Sequence, residues 1–258
     1  MEFQNILLEK EGEMGLVKIN RPEVRNALDP NTVEEIVNAV KIHEQDEEVG
    51  VIVFTGAGDK SFAAGADIRR LQERKTLDAL LPGMSDAYRE IESCNKATIA
   101  AINGFALGGG CELAMACDIR IAADHAKIGL PELNLSIIPG AGGTQRLARI
   151  IGKGRALDMI LTGEMLTADQ AETFGLVSQA VPLEQLWQAV KNKVDKVLAK
   201  GPLAVRMAKL TVNRGFDLDM DTALMMEKMA QAILLGSEDK QEGTQAFLEK
   251  RKAEFKGR

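Results

Sequence analysis

Aromatic residues are scarce in this chain, at 4% with one tryptophan and one tyrosine. Stacking platforms for bases or sugar rings are correspondingly few. Histidine is nearly missing as well, with His43 and His125 as the two examples. His43 opens a charged run ending at Glu48 and is expected on a solvated helix end; His125 follows Asp124 in a turn. Neither is expected to carry chemistry. The three cysteines, Cys94, Cys111 and Cys117, are odd in number, lie in apolar surroundings and form no C-x-x-C. No disulfide framework and no zinc site is expected from them, and a reduced, intracellular compartment is the simplest reading. A basic excess is also lacking. The formal net charge of -6 argues against a nucleic-acid surface, because phosphate binding needs surplus Lys and Arg. No apolar run is long enough to cross a membrane. Residues 1–13 are acidic and read neither as a signal peptide nor as an Arg-rich transit peptide, so a cytoplasmic location is expected.

What the chain does have is an ordinary globular composition, 45% apolar and 27% charged over 258 residues. That suits one large domain, or a domain with an appendage, with a core of ordinary size. Apolar runs at residues 6–8 and 16–19 flank a turn and read as a hairpin. Asp29-Pro30 supplies an N-cap followed by proline at N1, and the helix after it carries Val33, Ile36, Val37 and Val40 on one face. Residues 49–54 read as a buried strand, 59–66 as a loop, 67–74 and 79–93 as helices. Residues 98–102 and 119–122 read as strands, 111–117 as a short helix after a glycine run, and 143–151 and 154–162 as further helices. The recurring order is strand, strand, helix, an α/β pattern with helices packed outside sheets. Thr167 to Gln170 form a capping box, and Gly175 is placed to stop the helix begun there. From about Leu183 the chain reads as helix after helix. The Met- and Leu-rich stretch 220–235 is expected to bury an apolar face, at a subunit contact or inside the chain. The division expected is an active-site core at 1–195 and a C-terminal helical region at 196–258.

Three segments carry chemistry. Ser61-Phe62-Ala63-Ala64-Gly65-Ala66-Asp67-Ile68 is a run of small residues between strand and helix. Small side chains let a ligand approach the backbone, and amides near Ala66 at the helix start can bind an anion. A tight connection with no ligand is the alternative. Asn103 to Glu112 contains three consecutive glycines opening a helix, whose unpaired amides and dipole suit a developing oxyanion. It is not a P-loop, because no Lys-Ser/Thr pair comes after the glycines. Glu112 in the first turn also has a plain structural use, dipole pairing worth about 0.3–1 kcal/mol. In Gly129-Leu130-Pro131-Glu132, Pro131 holds Leu130 extended and presents Glu132 from a rigid turn. Gly140 and Gly142 fit two positions of a dinucleotide fingerprint, but Gln145 stands at the third, which disfavours a nicotinamide cofactor.

These segments, residues 61–68, 103–118 and 129–146 in this order, resemble the crotonase (enoyl-CoA hydratase/isomerase) family. The likeness runs from Asn20-Arg21-Pro22 and Arg25-Asn26-Ala27-Leu28 to Phe247-Leu248-Glu249-Lys250-Arg251-Lys252, and is greatest to short-chain enoyl-CoA hydratases. It implies a spiral of repeated β-β-α units with a C-terminal helical region, usually a homotrimer or dimer of trimers. It implies reversible water addition to trans-2-enoyl-CoA, giving 3-hydroxyacyl-CoA as in fatty-acid β-oxidation, with no metal and no cofactor beyond the substrate's own CoA. The Ala66 and Gly109 amides would hold the thioester oxygen, Glu112 and Glu132 would be catalytic, and Gly140 would lie near the water. Ala27, Ala64, Ala66, Asp67 and Ile68 would line the CoA path, and Lys250, from this subunit or a neighbour, would meet CoA phosphates. Residues 96–98, Lys-Ala-Thr, depart from the family's usual proline before the strand. Double-bond isomerases of the same fold typically keep only the carboxylate matching Glu132, so Glu112 favours hydration. A non-catalytic RNA-binding relative is the competing reading from another class, disfavoured by the intact carboxylates and acidic charge.

Overall fold

Two glycine-punctuated sheets are wound from one repeating path. The computed structural model describes residues 3–66, 68–73 and 75–258, with the backbone alone at 68–70. The expected hairpin forms from β1 (Ile6–Glu11) and β2 (Met14–Ile19), with Ile6 opposite Ile19. Helix α1 (Pro30–Gln45) begins as the Asp29-Pro30 pair predicts: the Asp29 carboxylate accepts from the Thr32 amide at 2.8 Å, and Val33, Ile36, Val37 and Val40 are buried. Strand β3 (Val51–Gly56) then leads into a second strand, β4 (Ser61–Ala63). Helices α2 (Ile68–Glu73) and α3 (Met84–Ser93) return the chain to β5 (Ala97–Ile102). The next turn of the spiral is β6 (Phe105–Leu107), α4 (Gly109–Ala116) and β7 (Ile119–Ala123). The third passes through β8 (Lys127–Gly129), α5 (Gly143–Ile151), α6 (Lys153–Thr162), β9 (Met165–Thr167), α7 (Ala168–Thr173) and β10 (Gln179–Val181). Four helices finish the chain: α8 (Leu183–Leu198), α9 (Pro202–Gly215), α10 (Met220–Leu235) and α11 (Glu238–Glu249).

The larger sheet has the order β1-β2-β3-β5-β7-β10 and the smaller β4-β6-β8-β9. Apart from the hairpin and the β8–β9 pair, neighbouring strands run parallel. Successive residues of a strand face opposite sides, and both sides of the larger sheet are covered. Ile52 and Phe54 enter the main core with α1, α3 and α4, while Val51 and Val53 enter a second core with Leu186, Val190 and Val194 of α8. Burial on both faces explains the continuous apolar runs. Truncating a fully buried residue such as Phe54 to alanine is worth about 3–5 kcal/mol. Asn103, in the connection between β5 and β6, is tied to the end of β3 and the loop after it: its side-chain nitrogen donates to the carbonyls of Gly56 at 2.8 Å and Gly58 at 2.7 Å.

Three expectations change, and the two alternatives for the 220–235 stretch are narrowed to one. Residues 59–66 are not all loop, because β4 is only three residues long and too short for periodicity to reveal. Residues 79–93 are not one helix. A single 3-10 turn (Thr76–Leu80) comes first, and α3 starts at Met84, after Pro82 and the Gly83 N-cap. His43 is not solvated but 4% exposed. Its ring packs where a Gly15 side chain would stand, and burial lowers its pKa. In α10 only Ala230 is buried, while Met220, Leu224, Met225, Met229, Ile233 and Leu235 remain open to solvent, so its apolar face is not buried within this chain. The Thr167–Gln170 capping box forms, and Gly175 ends that turn with φ 79°.

Candidate active site

The parallel strands β4, β6 and β8 end side by side. Ala63 pairs with Ala106, and Leu107 pairs with Gly129. The segments leaving these strands therefore converge: Gly65 and Ala66 after β4, Gly108 and Gly109 after β6, Pro131 and Glu132 after β8. Ligands in open parallel sheets collect at this end of the strands.

The glycine run is held where only glycine fits. Gly108 has φ 52° and ψ -124°, a region that L side chains rarely adopt. Gly110 lies so close to β4 that an added Cβ would meet the Ala63 carbonyl oxygen at 2.0 Å. Helix α4 consequently starts at Gly109, two residues earlier than expected, with Glu112 in its first turn. The two amides predicted as an oxyanion hole are neighbours: a Cβ built on Gly109 would lie 3.8 Å from the Ala66 nitrogen, and one on Gly65 would lie 3.6 Å from the Gly109 nitrogen. Among the described residues neither amide donates to a protein acceptor.

Glu112 is 2% exposed. Its Oε1 accepts from the amides of Ala141 at 2.7 Å and Gly143 at 2.8 Å. Burial raises its pKa, and these two donors, with Arg146, oppose the rise. The loop presenting the amides is itself braced, since Arg146 donates to the Ala141 carbonyl at 2.9 Å and pairs with Glu92 at 3.2 Å. Glu132 stands on a single 3-10 turn (Pro131–Leu135) begun by its proline, a short helix where a plain turn was expected. A Cβ on Gly108 would meet Glu132 Oε1 at 3.0 Å, so this carboxylate reaches the glycine run. Its Oε2 is buried and has no hydrogen-bond partner among the described residues. Burial and then the Glu112 charge push its pKa up to about 7, against an opposing bond to its own backbone. A carboxyl that is part protonated near neutrality can give or take a proton.

The CoA path expected from sequence is brought together in part. Asn26, with φ 57°, donates to the carbonyls of Ala57 at 3.1 Å and Ser61 at 2.7 Å. This clamps residues 25–28 against 64–66: the Ala64 amide donates to the Arg25 carbonyl at 3.1 Å, and the Leu28 amide to the Gly65 carbonyl at 2.8 Å. Ala27 and Ala64 are half-buried and Ala66 is exposed beside them. Ile68 begins α2, and Asp67 lies outside the described residues. Gly140 sits in an exposed turn beside Ala141, so its neighbours, not Gly140 itself, hold Glu112. Lys250 caps the far end of α11, which packs on α10.

Sequence reading missed Ala141, Gly143, Arg146 and Tyr88. The first three come shortly after Gly140, but nothing in sequence says which amide meets Glu112. Tyr88 could have been singled out only as the sole tyrosine. A cavity of about 440 Å³ lined by Lys60, Ser61, Phe105 and His125 opens at the starting ends of β4 and β6, away from the carboxylates. Among the described residues, no three His, Cys, Asp or Glu side chains are placed to hold a metal ion, and no helix is long and apolar enough to cross a membrane.

Fold and site together define a class: a spiral α/β domain that presents paired backbone donors beside one buried and one half-buried carboxylate. The family model for enoyl-CoA hydratase/isomerase matches residues 9–258, and the chain belongs to that family, the crotonases. It is 47% identical to a crotonyl-CoA hydratase of Syntrophomonas wolfei over 99% of both chains. It is 45% identical to a short-chain-enoyl-CoA hydratase of Clostridium acetobutylicum over the full length of both. An enoyl-CoA hydratase crystal structure from Bacillus anthracis superposes with a TM-score of 0.94 at 39% identity, covering 99% of this chain and all of that one.

Proposed function

We propose that the protein is an enoyl-CoA hydratase, a hydro-lyase that adds water reversibly to trans-2-enoyl-CoA thioesters and forms 3-hydroxyacyl-CoA. The observation that carries this reading is a pair of carboxylates, Glu112 buried and held by two amides and Glu132 half-buried with one oxygen that has no partner among the described residues, beside two backbone amides that donate to no acceptor among those residues. Water addition puts oxygen on Cβ and a proton on Cα, and charge builds on the thioester oxygen as an enolate. Donors aimed at that oxygen bind the transition state more strongly than the ground state. The Ala66 and Gly109 amides fill this role. Glu112, oriented by Ala141 and Gly143, takes the proton of the attacking water. Glu132, whose pKa of about 7 leaves much of it protonated at neutral pH, delivers the proton to Cα. Two interacting carboxylates titrate as a pair, and the reverse assignment uses the same groups. The step calls on no metal or redox cofactor. CoA runs along the backbone of Ala27, Ala64 and Ala66 toward Asp67 and Ile68; Gly140 borders the water site, and Lys250 meets CoA phosphates.

We also assign residues 1–195 to the catalytic core and 196–258 to subunit contacts, the open apolar face of α10 supporting a homotrimer or a dimer of trimers. A cytoplasmic location fits the sequence. The test is incubation of crotonyl-CoA in ¹⁸O-water with mass analysis of the product. Hydration adds one labelled water to the thioester; isomerisation, the alternative in this fold, leaves the mass unchanged and would overturn the assignment.

A further inference from the structure

The proposed oxyanion amide sits in a run of three consecutive glycines. Three consecutive glycines, Gly108 to Gly110, have no side chains to fix their peptide planes, and glycine has the widest conformational freedom. An oxyanion hole works only if its donors are already aimed. Backbone bonds account for part of the restraint: the Gly108 amide donates to the Gly129 carbonyl, and the Glu112 amide donates to the Gly108 carbonyl, both at 2.9 Å. Among the described residues one side chain also bonds the run. The Tyr88 hydroxyl, on α3, donates to the Gly109 carbonyl at 2.8 Å. Tyr88 is fully buried, so this contact is not exchanged for water. Its hydroxyl would also lie 3.6 Å from a Cβ on Gly109, on the same side as the Ala66 nitrogen at 3.8 Å.

We infer that Tyr88 is a positioning residue for hydration: by holding the Gly109 carbonyl it fixes the peptide after Gly109 while the Glu112 amide holds the Gly108 carbonyl of the peptide before it, and the two together hold the Gly109 amide at its angle to the thioester oxygen. It acts through Gly109 and does not touch the reacting atoms. The inference rests on the assignment of hydratase activity. Burial, then the nearby Glu112 charge, hold the phenol's pKa well above its usual value, which keeps it a donor throughout the working range.

The test is Tyr88→Phe, which keeps the ring and removes the donor. Two readouts are taken: steady-state hydration of crotonyl-CoA, and the red shift of 4-(dimethylamino)cinnamoyl-CoA on binding, which reports polarisation of the thioester carbonyl. The expected result is kcat about tenfold lower, KM and probe affinity within about twofold, and a smaller red shift. A variant with the parent's kcat and red shift overturns the inference, even if its Tm falls. If Tyr88→Phe does not fold, 3-fluorotyrosine decides instead, because the chain has a single tyrosine. The one ¹⁹F line must then move on probe binding, and a stationary line overturns the inference. Absent hydration with the parent's red shift intact would sink the hydratase assignment and leave Tyr88 to the shift. No red shift in the parent would overturn both.

Discussion

The finishing end of the small sheet and the C-terminal helices solve opposite problems. At the sheet end, polar groups are buried or half-buried among small residues: Glu112 is held by Ala141 and Gly143, and Glu132 has an oxygen with no partner among the described residues. In α9 no residue is buried, in α10 only Ala230 is, and Phe247 and Leu248 of α11 are 84% and 80% exposed. One region carries carboxyls wholly or partly withdrawn from water, the other carries apolar surface open to it. Burying a carboxylate costs stability and is tolerated where chemistry needs its raised pKa. Open apolar surface of this extent marks a contact.

The largest effect that would break this contrast is at the site. Gly109→Val places a branched side chain against Met84 Sδ, already 3.2 Å from a Cβ there, and against the Ala66 amide. It is expected to slow crotonyl-CoA hydration about 100- to 1000-fold with the circular-dichroism spectrum retained; parent-like turnover would remove Gly109 from the oxyanion hole.

A middling effect separates the two regions by pH. Folding moves the Glu132 carboxyl from 4.5 to about 7, so the folded protein binds more protons than the unfolded chain between those values. The stability given by the neutral carboxyl is fully present below pH 4.5 and lost as pH rises through 7. Glu132→Gln, neutral throughout, should therefore raise Tm at alkaline pH and change it little in acid. A uniform shift at all pH values would refute the buried-carboxyl account. In the parent, kcat/KM should decline above about pH 7 as the proton donor ionises.

The smallest chemical effect belongs to the helices. Met225→Gln with Met229→Gln should reduce the sedimenting mass and leave the helical spectrum of the protein intact. An unchanged mass would mean that this face contacts something other than a second copy.

Legibility in sequence divided along the same line. The capping pair Asp29-Pro30, the apolar face of α1 and the order of the longer strands and of the helices could be read because local preferences and tertiary structure agree there. Strands β4, β6 and β8 could not: each is three residues long, and their pairing is decided by the turns of the spiral. Glu112 and Glu132 were visible beside their glycine and proline motifs. Their partners were not, since a loop amide from residue 141 or 143 carries no side-chain signature. His43 misled because its charged neighbours Glu44, Asp46, Glu47 and Glu48 suggested a solvated end, whereas the space above Gly15 took the ring.

The central claim is that Glu112 and Glu132 act as one unit on one water. Its most direct test is the loss of crotonyl-CoA absorbance with the parent, Glu112→Gln, Glu132→Gln and the double variant, each with its fold verified. Each single change should cost about 1000-fold, within the range for general acid–base groups, and the double variant should be little slower than the slower single, because groups acting as a unit are not additive. Parent-like turnover in either single variant, or losses that multiply in the double, would contradict it.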